Sequence, residues 1–270
     1  MSTQRAEDPY SSEEVLRALR THTAETTAAF FTPHLRAGMR VLDCGCGPGT
    51  ITAGLAAHVA PGETVGLDRN PDQVARALAL ARERGVTTMR VEQGDMQALP
   101  FPDAAFDAVF SCYALEYLRD PLVALREMRR VLRPGGVIGI RTGEPRTMRL
   151  SPESPATERF LRWNCWWREQ GGSPYLGPAQ HRLLRDAGFR DCQVSAVATC
   201  HVGRGPDATR NPATAWVSVL MQPERLAMTI EQGWATRQEV EEMAAAVRAW
   251  GEAPDALSAA LAFTAVGWAA

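Results

Sequence analysis

Arg40 to Thr52 read RVLDCGCGPGTIT. A short apolar run, Val41 and Leu42, ends on an acid, Asp43, and three of the next six residues are glycine: Gly45, Gly47 and Gly49. Beyond them the apolar spacing predicts a helix over Thr50–Ala60, with Thr50 as its expected N-cap. Glycine lets a backbone take positive φ and lets a ligand approach the main chain with no Cβ in the way. In an open α/β sheet, ligands bind outside the carboxyl ends of the strands. A strand, a glycine loop and a helix in that order therefore predict a nucleotide-like ligand, although tight structural turns and dehydrogenase loops use the same device.

Outward from this loop, Val- and Ile-rich runs alternate with helical patterns, as in a parallel sheet covered by helices on both faces. The predicted strands are Met39–Cys44, Thr64–Asp68, Thr88–Gln93, Phe106–Cys112 and Val137–Arg141. The predicted helices between them include Pro71–Arg84, where Val74, Leu78 and Ala81 share a face, and Pro121–Leu132. After Leu150 the alternation weakens. A helix is expected within SPESPATERFLRWNCWWREQGGSPYLGP, another near Pro178–Ala187, a strand near Gln193–Cys200, two further helices, and a last strand at Leu257–Trp268. Thr147–Ala156 and Gly203–Pro212 read as linkers. The organisation expected is one domain over residues 1–270, with a cofactor-binding core at about 35–144 and substrate-covering helical insertions at about 151–177 and 204–252.

Acids mark the ends of three successive strands: Asp43, then Asp68 some 19 residues after Gly49, then Asp95. An acid at the second position meets ribose hydroxyls, and one at the third can accept an adenine amine while Met96 covers the ring. Three carboxylates suit an adenosine but repel a pyrophosphate, which wants helix-end amides and cations. A sulfonium cofactor is cationic, so the electrostatics favour S-adenosylmethionine over NAD. Each acid also has a structural reading: Asp68 as a helix cap before Asn70-Pro71, Asp95 as a turn residue after Gly94.

Composition narrows the class. Hydrophobic residues make up 45%, charged residues 22%, and the net charge is −2, which excludes a polybasic nucleic-acid binder and a disordered chain. The opening MSTQRAEDPYSSEEVLRALR reads as neither signal nor transit peptide, and the apolar tract from Ala256 is too short for a membrane span, so a cytoplasmic protein is expected. Six cysteines stand at 44, 46, 112, 165, 192 and 200 with no CxxC pair, and free thiols with no metal are expected.

Four motifs in order, VLDCGCGPGTIT, VGLDRNPDQV, GDMQALPFPDAAFDAVFSCYALEYLRDP and LREMRRVLRPGGVIGI, span roughly residues 35 to 144. Together they resemble a class I S-adenosylmethionine-dependent methyltransferase of the group related to ubiquinone and menaquinone biosynthesis C-methyltransferases. HTAETTAAFFTPHL, from His22, resembles the helix before the first motif, where an arginine often replaces His22. The resemblance implies an α/β, doubly wound, seven-stranded Rossmann-like sheet with an antiparallel last strand. It further implies that Gly45 and Gly47 line the methionine part of the cofactor above Asp43, that Asp68 holds the ribose and Arg69 lies along the adenine. Asp95 and Met96 would bind adenine, and Ser111 would present its backbone to the amino group. Tyr117 stands where many members have histidine, a change of packing rather than chemistry, and Pro134-Gly135-Gly136 is the turn into the fifth strand.

Methyl transfer is an in-line displacement in which the protein chiefly aligns donor and acceptor. A hydroxyl or acidic C–H acceptor also needs a base. The candidates at strand mouths are Tyr113 and Glu144, with His201 more remote; each could equally be a pocket wall, a solvated loop acid or a turn residue. Phe160, Trp163 and Trp167 share a helical face, with Trp166 pointing elsewhere, and such stripes are usually core. The function expected is methyl transfer to a hydrophobic small molecule, a specialised metabolite or isoprenoid or quinone-like compound. The alternatives are a non-methylating S-adenosylmethionine-binding cyclase or scaffold and, further off, an NAD-dependent oxidoreductase. The partners expected are the substrate and at most a second copy of the chain.

Overall fold

A computed structural model of the chain describes residues 13–203 and 208–270. The strands are β1 (Val41–Cys44), β2 (Thr64–Asp68), β3 (Met89–Gln93), β4 (Phe106–Cys112), β5 (Leu132–Ser151), β6 (Phe189–Val202) and β7 (Leu257–Ala269). They form a seven-stranded sheet in the order β3-β2-β1-β4-β5-β7-β6. β1 pairs in parallel with β2 and β4, β2 with β3, and β4 with β5, while the last strands run antiparallel. The chain builds outward from β1 to β3 and then returns to the other flank of β1 at β4. Direction reverses between β1 and β4, and that switch point is where an open sheet offers a crevice.

The helices are α1 (Glu13–Leu19), α2 (Ala24–Thr27), α3 (Thr50–Val59), α4 (Pro71–Glu83), α5 (Pro121–Val131), α6 (Pro155–Gly171), α7 (Gln180–Asp186), α8 (Arg210–Leu220), α9 (Pro223–Glu231) and α10 (Arg237–Glu252). Two of them start as their sequences dictate. Asn70 accepts from the Asp72 N–H at 2.9 Å ahead of Pro71, and Asp120 accepts from the Leu122 N–H at 3.0 Å ahead of Pro121.

Several expectations are corrected. Thr50 is not an N-cap but the first helical residue; Gly49, at φ 83°, occupies the cap, where a Cβ would lie 2.8 Å from that of Ala77. β5 runs ten residues past Arg141, so Thr147–Ala156 is not a linker: it is strand to Ser151 and helix from Pro155. The two late helices are three, because Pro223, lacking an N–H, starts a new one. Of Gly203–Pro212, residues 204–207 lie outside the described residues, and Arg210 onward is α8.

Contacts divide the chain into two compact units. One comprises His22–Pro145, Arg168–Ala198 and Leu261–Ala270; the other comprises residues 13–21, Arg146–Trp167 and Thr199–Ala260. In the first, strand alternation sends neighbours to opposite faces. Leu42, Val109 and Ile138 pack with Phe106, Leu125 and Met128 on one side, and Val41, Phe110 and Val137 pack with Ala24, Ala28 and Phe31 on the other. Gly139 admits Phe31: a Cβ there would sit 2.4 Å from its ring.

The second unit has an aromatic core. Trp163 is fully buried and donates its indole N–H to the Thr229 hydroxyl at 2.9 Å. Phe160 lies against Trp163 and Trp216, Trp216 stacks on Trp250, and the Arg225 guanidinium is 3.9 Å from the Trp167 ring centre. Trp166 does not point away from this core but joins it by stacking on Trp234. Packing, the plainer reading of the stripe, is what the ring contacts describe. No helix among the described residues is long and apolar enough to cross a membrane.

Candidate cofactor and methyl-transfer site

The first unit holds the glycine loop. Gly45, Gly47 and Gly49 all take positive φ, at 78°, 51° and 83°. The N–H groups of Gly45 and Cys46 donate to the Leu67 carbonyl at 2.8 and 3.1 Å, tying the loop to the end of β2. Asp68 accepts from the Gly47 N–H through one carboxylate oxygen and from the Asn70 N–H through the other, both at 2.9 Å. It is thus oriented by the loop rather than serving as the cap of α4. A Cβ on Gly45 would meet the Cβ of Ala114 at 2.4 Å and the Met96 methyl at 3.2 Å, so the loop, Met96 and the segment after β4 converge there. On Gly47 a Cβ would meet nothing within 4 Å, so this side of the loop is open.

Asp43 lies under the loop, buried, accepting from the Thr52 hydroxyl at 2.6 Å. Burial drives its pKa up to about 7; the Thr52 bond opposes the shift and the negative charge of Asp68 adds to it. Ser111 is buried and donates its hydroxyl to the Cys44 carbonyl at 2.9 Å, linking β4 to β1 at the switch point. Asp95 is exposed and accepts from the Gln97 N–H at 2.8 Å in a local turn beside Met96. Arg69 has an exposed side chain, and its carbonyl accepts from Gln93. Cys44 and Cys46 are buried, free thiols whose pKa burial pushes well up, as befits packing residues.

Tyr113 follows β4 at φ 52°, an uncommon conformation for an aromatic residue. Its hydroxyl accepts from Arg141 Nε at 2.9 Å, and its ring lies 5.3 Å from that of His22. Burial raises the phenol pKa while nearby Arg141 lowers it. Glu144 is not in a loop after β5; it is buried within the strand at 4% exposure. By alternation it shares a face with Thr142, whereas Arg141 and Gly143 share the other. Tyr113 is found on that other face, since a Cβ on Gly143 would meet its ring at 3.8 Å. His201 is exposed. Tyr117 forms part of a single 3-10 turn, Leu115–Tyr117, and its hydroxyl accepts from Arg168 at 3.3 Å.

One residue absent from the sequence-based candidates belongs with Tyr113. Glu116 is 5% exposed, and its Oε1 accepts a long bond, 3.5 Å, from the Gly143 N–H. Its Oε2 has no hydrogen-bond partner among the described residues. Burial pushes its pKa up to about 7 against the charge of Arg168 and the bonds from backbone N–H groups.

The donor set can be tested against a cofactor. Asp43 and Asp68 already repel one another, as the raised pKa of Asp43 records. A pyrophosphate would add to that repulsion, while a sulfonium with an ammonium group would relieve it. The residues fit S-adenosylmethionine and disfavour NAD.

Comparison with known proteins gives the same answer. The methyltransferase-domain family profile matches residues 42–140. "Probable methyltransferase ltbC" of Aspergillus luteorubrus is 32% identical over 283 aligned residues, covering 96% of this chain and 95% of that protein. A demethylmenaquinone methyltransferase of Anoxybacillus flavithermus is 28% identical over 218, covering 74% of this chain and 92% of the other. Among solved structures, YcgJ of Bacillus subtilis matches with a TM-score of 0.62 at 21% identity, covering 89% and 96% of the two chains, a likeness of fold.

Proposed function

The chain belongs to the class I S-adenosylmethionine-dependent methyltransferases, and from that premise we propose that it methylates an apolar small molecule of quinol or specialised-metabolite type. The observation that carries the acceptor class is the likeness to a demethylmenaquinone methyltransferase over nearly all of that protein's length. The ring of Tyr113, 5.3 Å from that of His22, gives an aromatic acceptor a face to lie against and supports the same class.

When bound, the cofactor supplies an activated methyl group with a good leaving group. The residues around it have the following proposed roles. Gly45 and Gly47 offer backbone to its methionine part, and Asp43 below them, with its proton near balance at pH 7, meets positive charge by ionising. Asp68, fixed by Gly47 and Asn70, takes the ribose hydroxyls. Asp95, Met96 and Arg69 border the adenine, and Ser111 sets the β1–β4 crevice. Tyr113 forms the wall against which the acceptor is aligned, and Glu144 is a proton acceptor only if the acceptor reaches its face of β5.

The experiment is transfer of isotopically labelled methyl from S-adenosylmethionine into demethylated menaquinol and, in parallel, into a solvent extract of the source cells. Label in an apolar compound is expected. Firm cofactor binding with label in neither would sink the proposal in favour of a protein that holds the cofactor for another purpose. Asp68→Ala should weaken cofactor binding at least tenfold without unfolding the protein; unchanged affinity removes the ribose assignment.

A further inference from the structure

A guanidinium buried without a counter-ion is costly, and such groups are normally paired. Arg141 is 8% exposed. Among the described residues it makes one side-chain hydrogen bond, from Nε to the Tyr113 hydroxyl, and no ion pair. Its two terminal nitrogens, the prongs that grip a carboxylate or a phenolate, are engaged by no acceptor among the described residues.

The surroundings hold the side chain rather than neutralise it. Arg141 lies opposite Cys112 in the β4–β5 register, and its carbonyl accepts from the Tyr113 N–H at 2.8 Å. The guanidinium carbon is 5.7 Å from the centre of the Tyr113 ring. That ring is presented by a backbone at φ 52°, a conformation a tyrosine keeps only where its neighbours impose it, and such strain collects at ligand sites. Glu116 lies on the same side of β5, but the cation acting on its carboxylate is Arg168. A largely buried cation with no counter-ion among the described residues, a strained aromatic bonded to it and a buried carboxylate oxygen with no partner there, Glu116 Oε2, thus meet at the mouths of β4 and β5.

We propose that Arg141, positioned by Tyr113, binds an oxyanion of the bound molecules, a carboxylate or phenolate gripped by its two terminal nitrogens. This rests on the methyltransferase reading and deepens it. The oxyanion has two sources: the carboxylate of the cofactor's amino-acid tail, or an ionised oxygen of the acceptor.

The test is calorimetric titration of the full chain, as wild type, Arg141→Gln and Arg141→Lys, with three probes. S-adenosylhomocysteine carries the carboxylate; methylthioadenosine is the same nucleoside thioether without it; salicylate, titrated into protein saturated with S-adenosylhomocysteine, stands for an aromatic acceptor oxyanion. A tenfold or greater loss for S-adenosylhomocysteine in Arg141→Gln, with methylthioadenosine unchanged, assigns the oxyanion to the cofactor. Unchanged S-adenosylhomocysteine with loss of salicylate binding assigns it to the acceptor. In either case Arg141→Lys should recover part of the loss, because it restores charge without the fork. Equal losses for both nucleosides would mark Arg141 as structural and overturn the proposal, as would no loss in any arm. A wild-type protein that binds neither nucleoside would overturn the methyltransferase reading with it.

Discussion

Asp43 holds a proton in the folded protein that it would release in the unfolded chain, and this has a pH signature. Its ordinary value is 3.8 and its folded value about 7. Between about pH 4 and pH 7 the native state binds the extra proton, so this group's contribution to stability falls as pH rises through that window, by up to about 4 kcal/mol. Asp43→Asn keeps an acceptor for Thr52 and removes the titration. It should be more stable than wild type at pH 8, with the gap closing toward pH 4, when urea midpoints are compared at both. A gap that does not change with pH would show that the carboxyl is ionised when buried. Glu116, also pushed to about 7, keeps part of the slope in that variant. The two acids differ in how visible they were. Asp43 ends an obvious strand before an obvious loop. Glu116 sits in a single 3-10 turn with no periodicity of its own, and the segments that meet it are distant in the chain: the Ser173 N–H donates to its carbonyl at 3.0 Å and the Gly143 N–H to its carboxylate at 3.5 Å.

On α6, Trp163 is the side chain around which the aromatic core closes. Trp163→Ala removes a fully buried indole and its bond to Thr229, and should cost about 3–5 kcal/mol. The denaturation midpoint should drop accordingly, whereas an exposed neighbour, Arg162→Ala, should change little. A small effect at Trp163 would mean the cluster repacks. Elements whose signal is local were legible: β2 and β4 run from Thr64 to Asp68 and Phe106 to Cys112 as their apolar runs imply, and α4 begins at Pro71 after an asparagine cap. Where sheet pairing overrides local preference the sequence misleads. The tail of β5, TGEPRTMRLS, holds a proline and three charged residues and reads as a loop, yet it is strand to Ser151. The conformation of the glycine loop was legible, since Gly45, Gly47 and Gly49 all take positive φ; the burial of Arg141 was not, since a lone arginine at the end of an apolar strand ordinarily faces water.

Across the whole molecule, chain order and spatial order disagree most at the end of the sheet. β7 lies between β5 and β6, so β6 touches the sheet only through a strand that comes later in the chain. A chain cut after Ala256 therefore loses two strands, not one, and Phe189 and Leu184, packed with Ala265 and Ala269, lose part of their cover. Such a truncation should show no cooperative thermal transition and should bind a hydrophobic dye; a sharp melt would mean that the first five strands suffice. The two compact units share this dependence, since the chain visits them in six alternating segments, with five crossings, and neither is a continuous stretch. On the ribosome, β6 is complete once Val202 has emerged but has nothing to pair with until Leu257–Ala269 follows. For that interval β5 and β6 both present open edges, the condition in which nascent chains aggregate or recruit chaperones. Closure of the sheet is thus a late event in synthesis, and a pause in translation between those two strands lengthens the most vulnerable period in the protein's life.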